Sequence, residues 1–214
     1  MKKIVSIIFA SIIFTTSAFA GGLVGVKVGN GDLEATMAEI TNTPTTLNEA
    51  AQTKSVDNTY AAIFAEVGLG DSPVNLGLEL VPLTGTVSVA TDNTDASVEL
   101  SNLATAYLLA AKEVDNGGSI YAKLGYSHAD IDNAKQSNGT TTINSFSDSL
   151  EGPMVGFGFQ SAEGANGLVF RAEMTLSEFD SVSVNTTDTD GLVETKSADD
   201  ITFQTFTVSI AKSF

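Results

Sequence analysis

Apolar and polar residues alternate through eight short stretches of this chain, and the last stretch, FQTFTVSIAKSF, ends on Phe214. Every second position there reads Phe206, Val208, Ile210, Lys212 and Phe214, with Thr205, Thr207, Ser209, Ala211 and Ser213 between. Period-two alternation sets one face of a strand against apolar surroundings and leaves the other face to something different. An aromatic ring closing such a strand suits a membrane interface better than the rim of a soluble domain.

The opposite end carries an export pattern. Met1-Lys2-Lys3 is a positive n-region, residues 4–14 are almost unbrokenly apolar, and Ala18-Phe19-Ala20 before Gly21 is an A-x-A cleavage site. A run of about 11 apolar residues is too short to span a bilayer as a helix. The expected organisation is therefore a cleaved signal peptide over 1–20 and a single domain over 21–214.

Composition then excludes several function classes. The formal net charge is −16, and losing Lys2 and Lys3 with the leader makes it −18, which argues against nucleic acid as a partner. With no cysteine there is no disulfide framework, thiolate nucleophile or zinc–thiolate site, and a single histidine, His128, rules out a multi-histidine metal site within the chain. No cofactor is implied. Beyond the leader no segment has the length of a membrane helix, and only 32–40 (DLEATMAEI) could form a short helix. The chain reads as all-β.

Eight strands are expected near 22–29, 59–69, 74–83, 103–114, 119–129, 153–161, 167–177 and 201–214. Gly70-Asp71-Ser72-Pro73, Asp115-Asn116-Gly117-Gly118 and Glu163-Gly164-Ala165-Asn166 are tight links built from turn residues. They alternate with long links rich in Thr, Asn, Ser and Asp, over 30–58, 84–102, 130–152 and 178–200. Within these, 84–90 with 96–100, and 181–185 with 192–196, alternate well enough to form protruding hairpins whose edges a partner could use.

The terminal strand, with Phe206, Val208, Ile210 and Phe214, resembles the C-terminal strand of bacterial outer-membrane β-barrels, which the assembly machinery recognises by a terminal Phe and alternate apolar positions. Lys212 departs from that pattern, since the family more often has an aromatic residue there; a lysine can snorkel its ammonium into the interface. The whole plan resembles the small OmpA/OmpX-type barrel. It implies an eight-stranded antiparallel up-and-down transmembrane β-barrel in the outer membrane of a Gram-negative bacterium, with short periplasmic turns and long extracellular loops. Outer-membrane lipids and the assembly machinery are the partners it implies, with the barrel a monomer.

Alternation assigns the faces. Val24, Val26 and Val28, Ile63 to Leu69, Val74 to Leu80, Ile120 to Tyr126, Val155 to Phe159 and Leu168 to Leu176, at every second position, form the expected lipid face. The opposite face carries Lys27, Glu66, Glu79, Tyr121, Lys123, Gln160, Arg171 and Glu173, with Gly25, Gly77, Gly125, Gly156 and Gly158 making room for long side chains. Strand four reads either way: Lys112 points inward only if Ala104, Ala106, Leu108 and Ala110 do. Counted with the rest, Lys112 gives an interior of four basic and three acidic residues in a strongly acidic protein. Charges enclosed in a barrel must be paired or hydrated, because desolvation without a partner costs several kcal/mol. An eight-stranded barrel has room for little beyond its own side chains, so a polar plug is expected and an open pore is not.

Enzymatic chemistry finds little support. The resemblance raises a lipid A-modifying barrel enzyme, because some small outer-membrane barrels are acyltransferases or deacylases. Here His128 shares a face with Tyr126 and Asp130 while Ser127 lies on the other, and no G-x-S-x-G elbow occurs. Acidic residues concentrate in the long links, the last holding Glu178, Asp180, Asp188, Asp190, Glu194, Asp199 and Asp200 against Lys196. Its D-x-D-G, Asp188 to Gly191, fails the EF-hand pattern at both ends, with Thr186 first and Ser197 twelfth. A looser divalent-cation site with Asp130, Asp132 or Asp148 is an alternative to a plain solubilising surface. The sequence thus points to a non-enzymatic barrel presenting acidic surface loops, for envelope structure, adhesion or recognition. A narrow porin-like conduit is the first alternative and the barrel enzyme the second.

Overall fold

The computed structural model describes residues 21–41, 49–70, 72–81, 85–91, 94–115, 117–137, 148–187 and 193–214. At 37–41, 49–52, 54, 85–91, 94–100, 132–137, 148, 184–187 and 193–196 only the backbone is described. The expected signal peptide, including Ala18 and Ala20, and the D-x-D-G lie outside the described residues, as do the side chains of Asp132 and Asp148.

Ten strands form: β1 (Gly22–Thr41), β2 (Glu49–Gly68), β3 (Val74–Val81), β4 (Gly85–Thr91), β5 (Thr94–Glu113), β6 (Ser119–Ser137), β7 (Asp148–Gln160), β8 (Leu168–Phe179), β9 (Val182–Thr187) and β10 (Val193–Ser213). Eight of them make a closed antiparallel barrel in the order β1-β2-β3-β5-β6-β7-β8-β10, with β10 returning to β1. Main-chain hydrogen bonds between Gly22 and Phe214, 3.1 Å in each direction, finish that seam at the short-turn end. The other two strands pair outside the ring, β4 on β5 and β9 on β10, where the alternating segments of the long links are expected to form hairpins.

Several strands run well past the lengths expected from sequence. The segment 32–40 is no helix: it continues β1, paired with β10 on one side and β2 on the other. Nine residues nucleate a helix poorly, whereas a strand already in register gains a main-chain partner on both sides. Above the membrane-sized part of the barrel, the upper halves of β1 and β10 thus face the upper halves of β5 and β6. Between them lies an apolar core of Ala129, Ile131, Leu150, Phe179 and Ile201, with Leu33, Ala35, Leu103, Val182, Ala198 and Phe203 packed against it.

The outer wall carries the apolar belt. Val26, Val28, Leu108, Leu124, Val155, Phe157, Phe170, Phe206 and Val208 are all exposed, Leu124 at 63% and Phe157 at 64%, too large and contiguous a surface to face water. The outward positions of β8 from Leu168 to Leu176 rise about 20 Å at ~3.3 Å per residue and about 40° tilt, near the height of an outer-membrane apolar band. Lys112 belongs to this outer face. Along β5 it is Thr105, Tyr107 and Leu109 that are buried, while Ala106, Leu108, Ala110 and Lys112 are exposed. Lys112 sits at the short-turn edge of the belt opposite Ile120, where its ammonium reaches the interface. It is therefore no part of the interior network.

Candidate functional site: a charge-balanced barrel interior

With Lys112 removed, the interior charges among the described residues balance: Lys27, Lys123 and Arg171 against Glu66, Glu79 and Glu173. The groups form two linked units. In the first, Lys27 Nζ lies 2.6 Å from Glu79 and 2.7 Å from Glu173, and Lys123 Nζ lies 2.6 Å from the other oxygen of Glu173. In the second, Arg171 grips Glu66 with both terminal nitrogens, at 2.6 and 2.8 Å, and donates Nε–H to Gln160 at 2.7 Å. Each unit takes one tyrosine hydroxyl, Tyr107 donating to Glu66 at 2.8 Å and Tyr121 to Glu173 at 3.0 Å, and each of these rings stands beside a cation of the other unit. Every barrel strand except β10 contributes a side chain. A charge here has protein on all sides, so fork-on-fork pairing and extra hydroxyl donors are what make its burial tolerable.

Aromatic rings insulate the ions. The Lys123 ammonium stands 4.1 Å from the Tyr107 centroid, and the Arg171 guanidinium 5.1 Å from Tyr121 and 5.5 Å from Phe64. Glycines on neighbouring strands give the rings their space. A Cβ on Gly25 would come within 2.6 Å of the Phe64 ring, and one on Gly158 within 2.5 Å of Tyr121. Gly77 and Gly125, directly across from Tyr107 on either side, do the same for that residue.

Towards the far end the ionic layer gives way to hydroxyls: Thr105 with Ser127 at 2.9 Å and Thr175 with Thr205 at 2.7 Å. These, with Tyr60, Glu79, Met154, Ser177 and Phe203, line a cavity of about 20 Å³, room for about one or two waters among many polar partners. Glu79, at its edge, is the least enclosed interior charge, 13% exposed where its partner Lys27 is 3%. Above the cavity comes the apolar core between the upper strands, and below the ions Leu23, Phe64, Val169 and Ala211 pack together at the short-turn end. Among the described residues, side chains fill the lumen from one end to the other apart from that small cavity.

His128 sits elsewhere, on the outer wall above the belt. Its Nδ1 is 2.9 Å from Glu151 and its Nε2 3.3 Å from Asp130, which also accepts from the Asn102 amide at 2.8 Å. Both ring nitrogens thus meet carboxylates, and Ser127 points into the barrel, buried against Thr105 and Ser177. The terminal positions Phe206, Val208, Ile210 and Phe214 all face outward into the belt.

Sequence reasoning missed Tyr107, Tyr60 and Phe64. For Tyr107 a signal existed. β5 is apolar on both faces, so alternation is silent there, but counting back from the tight turns on either side aligns it between Gly77 and Gly125, the two empty positions a ring would need.

Comparison with protein-family models gives no match, and neither does comparison with curated proteins. Solved structures do match. The outer membrane protein OprG from Pseudomonas aeruginosa superposes with a TM-score of 0.66 over 92% of this chain and 97% of its own, at 11% identity. Ail, the attachment invasion locus protein of Yersinia pestis, solved with the heparin analogue sucrose octasulfate, aligns over 90% of this chain and 99% of its own at 14% identity, with a TM-score of 0.47. Neisserial surface protein A gives 0.46 at 11% identity, over 88% and 97%. Of these three, OprG aligns closely enough to bear on the architecture. The chain has the fold of the small bacterial outer-membrane β-barrels of OmpA/OmpX type, eight antiparallel strands closed around an interior filled by their own side chains.

Proposed function

We propose that this protein is a non-enzymatic, non-conducting barrel of the bacterial outer membrane, exported through a cleaved signal peptide, whose work is done by the acidic segments it holds above the lipid belt. The observation that carries this reading is the sequence of layers in the lumen: an apolar floor, a neutral ionic network, hydroxyls, and an apolar core across the far end. A conduit for solutes needs a continuous hydrated path, and two apolar packings stand across it. Against catalysis stands His128, whose two nitrogens both meet carboxylates, leaving none to activate a hydroxyl. The far side of the belt is the extracellular side in this reading, because the tight turns and both ends of the domain share the other side. Long surface segments on a rigid scaffold are where recognition is usually carried.

The test is single-channel conductance of the refolded protein in planar bilayers. Baseline current without discrete steps is expected; stable steps of porin size would replace this reading with the conduit. Lipids of the outer membrane and its assembly machinery, which would read Phe206, Val208, Ile210 and Phe214, are the proposed partners of the barrel itself. A surface ligand or divalent cations are the proposed partners of the acidic segments.

A further inference from the structure

The barrel wall does not stay closed over its full height. From the tight turn, β2 pairs with β3 from Gly68 opposite Asn75 up to Ile63 opposite Leu80, and above Ile63 the pairing with β3 ends. Yet β2 continues upward to Glu49, paired all the way with β1. On the other flank the chain goes on through β4, which pairs with β5 alone. Among the described residues, then, the upper part of β2 has one main-chain partner, and its second edge is open.

An unpaired edge of that length is a template for another strand unless something blunts it. Alternation turns Lys54, whose side chain lies outside the described residues, to the other face from Thr53, Ser55, Asp57 and Thr59, which are all exposed. Next to the edge the charge has one sign. Asp57 lies directly opposite Asp32 on β1, both exposed, with Glu34 one position further along the same face, and none of the three has a cationic partner among the described residues. Two like charges directly across a strand pair are unfavourable, and a cationic neighbour relieves them.

We propose that the open edge of β2 above Ile63 is a docking site for an extended basic segment of another protein, which adds to the sheet by main-chain pairing while its lysines or arginines face Asp57, Asp32 and Glu34. Main-chain hydrogen bonds would supply affinity and the carboxylates selectivity. A second copy of this chain is disfavoured as the occupant by the same carboxylates. The inference rests on the reading of the barrel as a surface-presenting protein, but the two fail separately: conductance tests the barrel, and hydrogen exchange along β2 tests the edge.

The experiment uses the full domain in lipid nanodiscs with three labelled probe peptides. One alternates lysine and valine, one has glutamate for lysine, and one is the lysine peptide N-methylated at alternate amides. The lysine peptide is expected to bind in a salt-dependent way, to slow amide exchange between Thr53 and Ala62, and to lose about tenfold in affinity in the D32N/D57N double variant. The glutamate and N-methylated peptides are expected not to bind. Equal binding of the N-methylated peptide would reduce the site to non-specific charge attraction and overturn the proposal. So would full exchange protection of 53–62 in the free protein, crosslinked dimers through this edge, or no binding of the lysine peptide.

Discussion

Arg171 is the residue on which the interior most depends. Among the described residues it is the one cation within salt-bridge reach of Glu66, which is buried to 1% exposure and otherwise accepts from Tyr107. Replacing Arg171 with Met keeps the bulk and removes both N–H donors to Glu66, leaving a buried carboxylate without a hydrogen-bonded countercharge. A loss of about 3–5 kcal/mol is expected from urea unfolding in detergent, as for other broken buried pairs; a loss below 1 kcal/mol would show Glu66 to be hydrated. A steric test is independent of charge. Gly158→Val would push the Tyr121 ring off its place, breaking its hydrogen bond to Glu173, and over-packing of this kind costs typically about 1–3 kcal/mol. Most of these residues were legible, because each charge in a well-patterned strand sat out of phase with the apolar positions. Lys112 was not, because Ala, Leu and Tyr occupy both faces of β5 and only its neighbours decide the phase.

At the scale of the element, β10 does two things at once. Its outward side chains complete the belt, and its last residue closes the ring through main-chain bonds to Gly22. The two roles separate by mutation. Phe214→Asp keeps the main-chain bonds but places a charge in the belt, and deletion of Phe214 removes both. Each variant is expected to accumulate unassembled, seen as loss of heat-modifiable gel migration and of membrane yield; normal yield for Phe214→Asp would show the terminal ring dispensable. The short helix that 32–40 could have formed gives way to strand for a reason specific to strands. DLEATMAEI fits a short helical period, yet in the folded chain Leu33 and Ala35 pack inward against the upper core while Asp32 and Glu34 face out. Local preference was weak, and partners distant in sequence settled the matter.

For the molecule as a whole, closure of the lumen should not depend on the outermost arm. Replacing 183–196 by a tight turn removes most of β9 and most of the β10 segment it pairs with. It leaves Ala129, Ile131, Leu150, Phe179 and Ile201 across the far end. The trimmed protein is expected to fold, to insert and to show no conductance; the appearance of steps would place the barrier in the arm. The clustered lumen also predicts cooperative unfolding, since the ionic network ties strands as distant in sequence as Lys27 and Glu173.

The sequence by itself determined the class of fold. A barrel in lipid imposes a period of two on every strand and places its tight turns at one end, and both marks are local enough to survive in one dimension. It also determined which charges were enclosed wherever one face was purely apolar. Only the tertiary structure decided the pairing of those charges, the phase of β5, the upward extension of β1 and β2, and the open edge where β2 outruns β3. Each of these depends on which strand lies beside which and at what height, a relation between residues that, for Lys27 and Glu173, lie 146 positions apart and that no local pattern encodes.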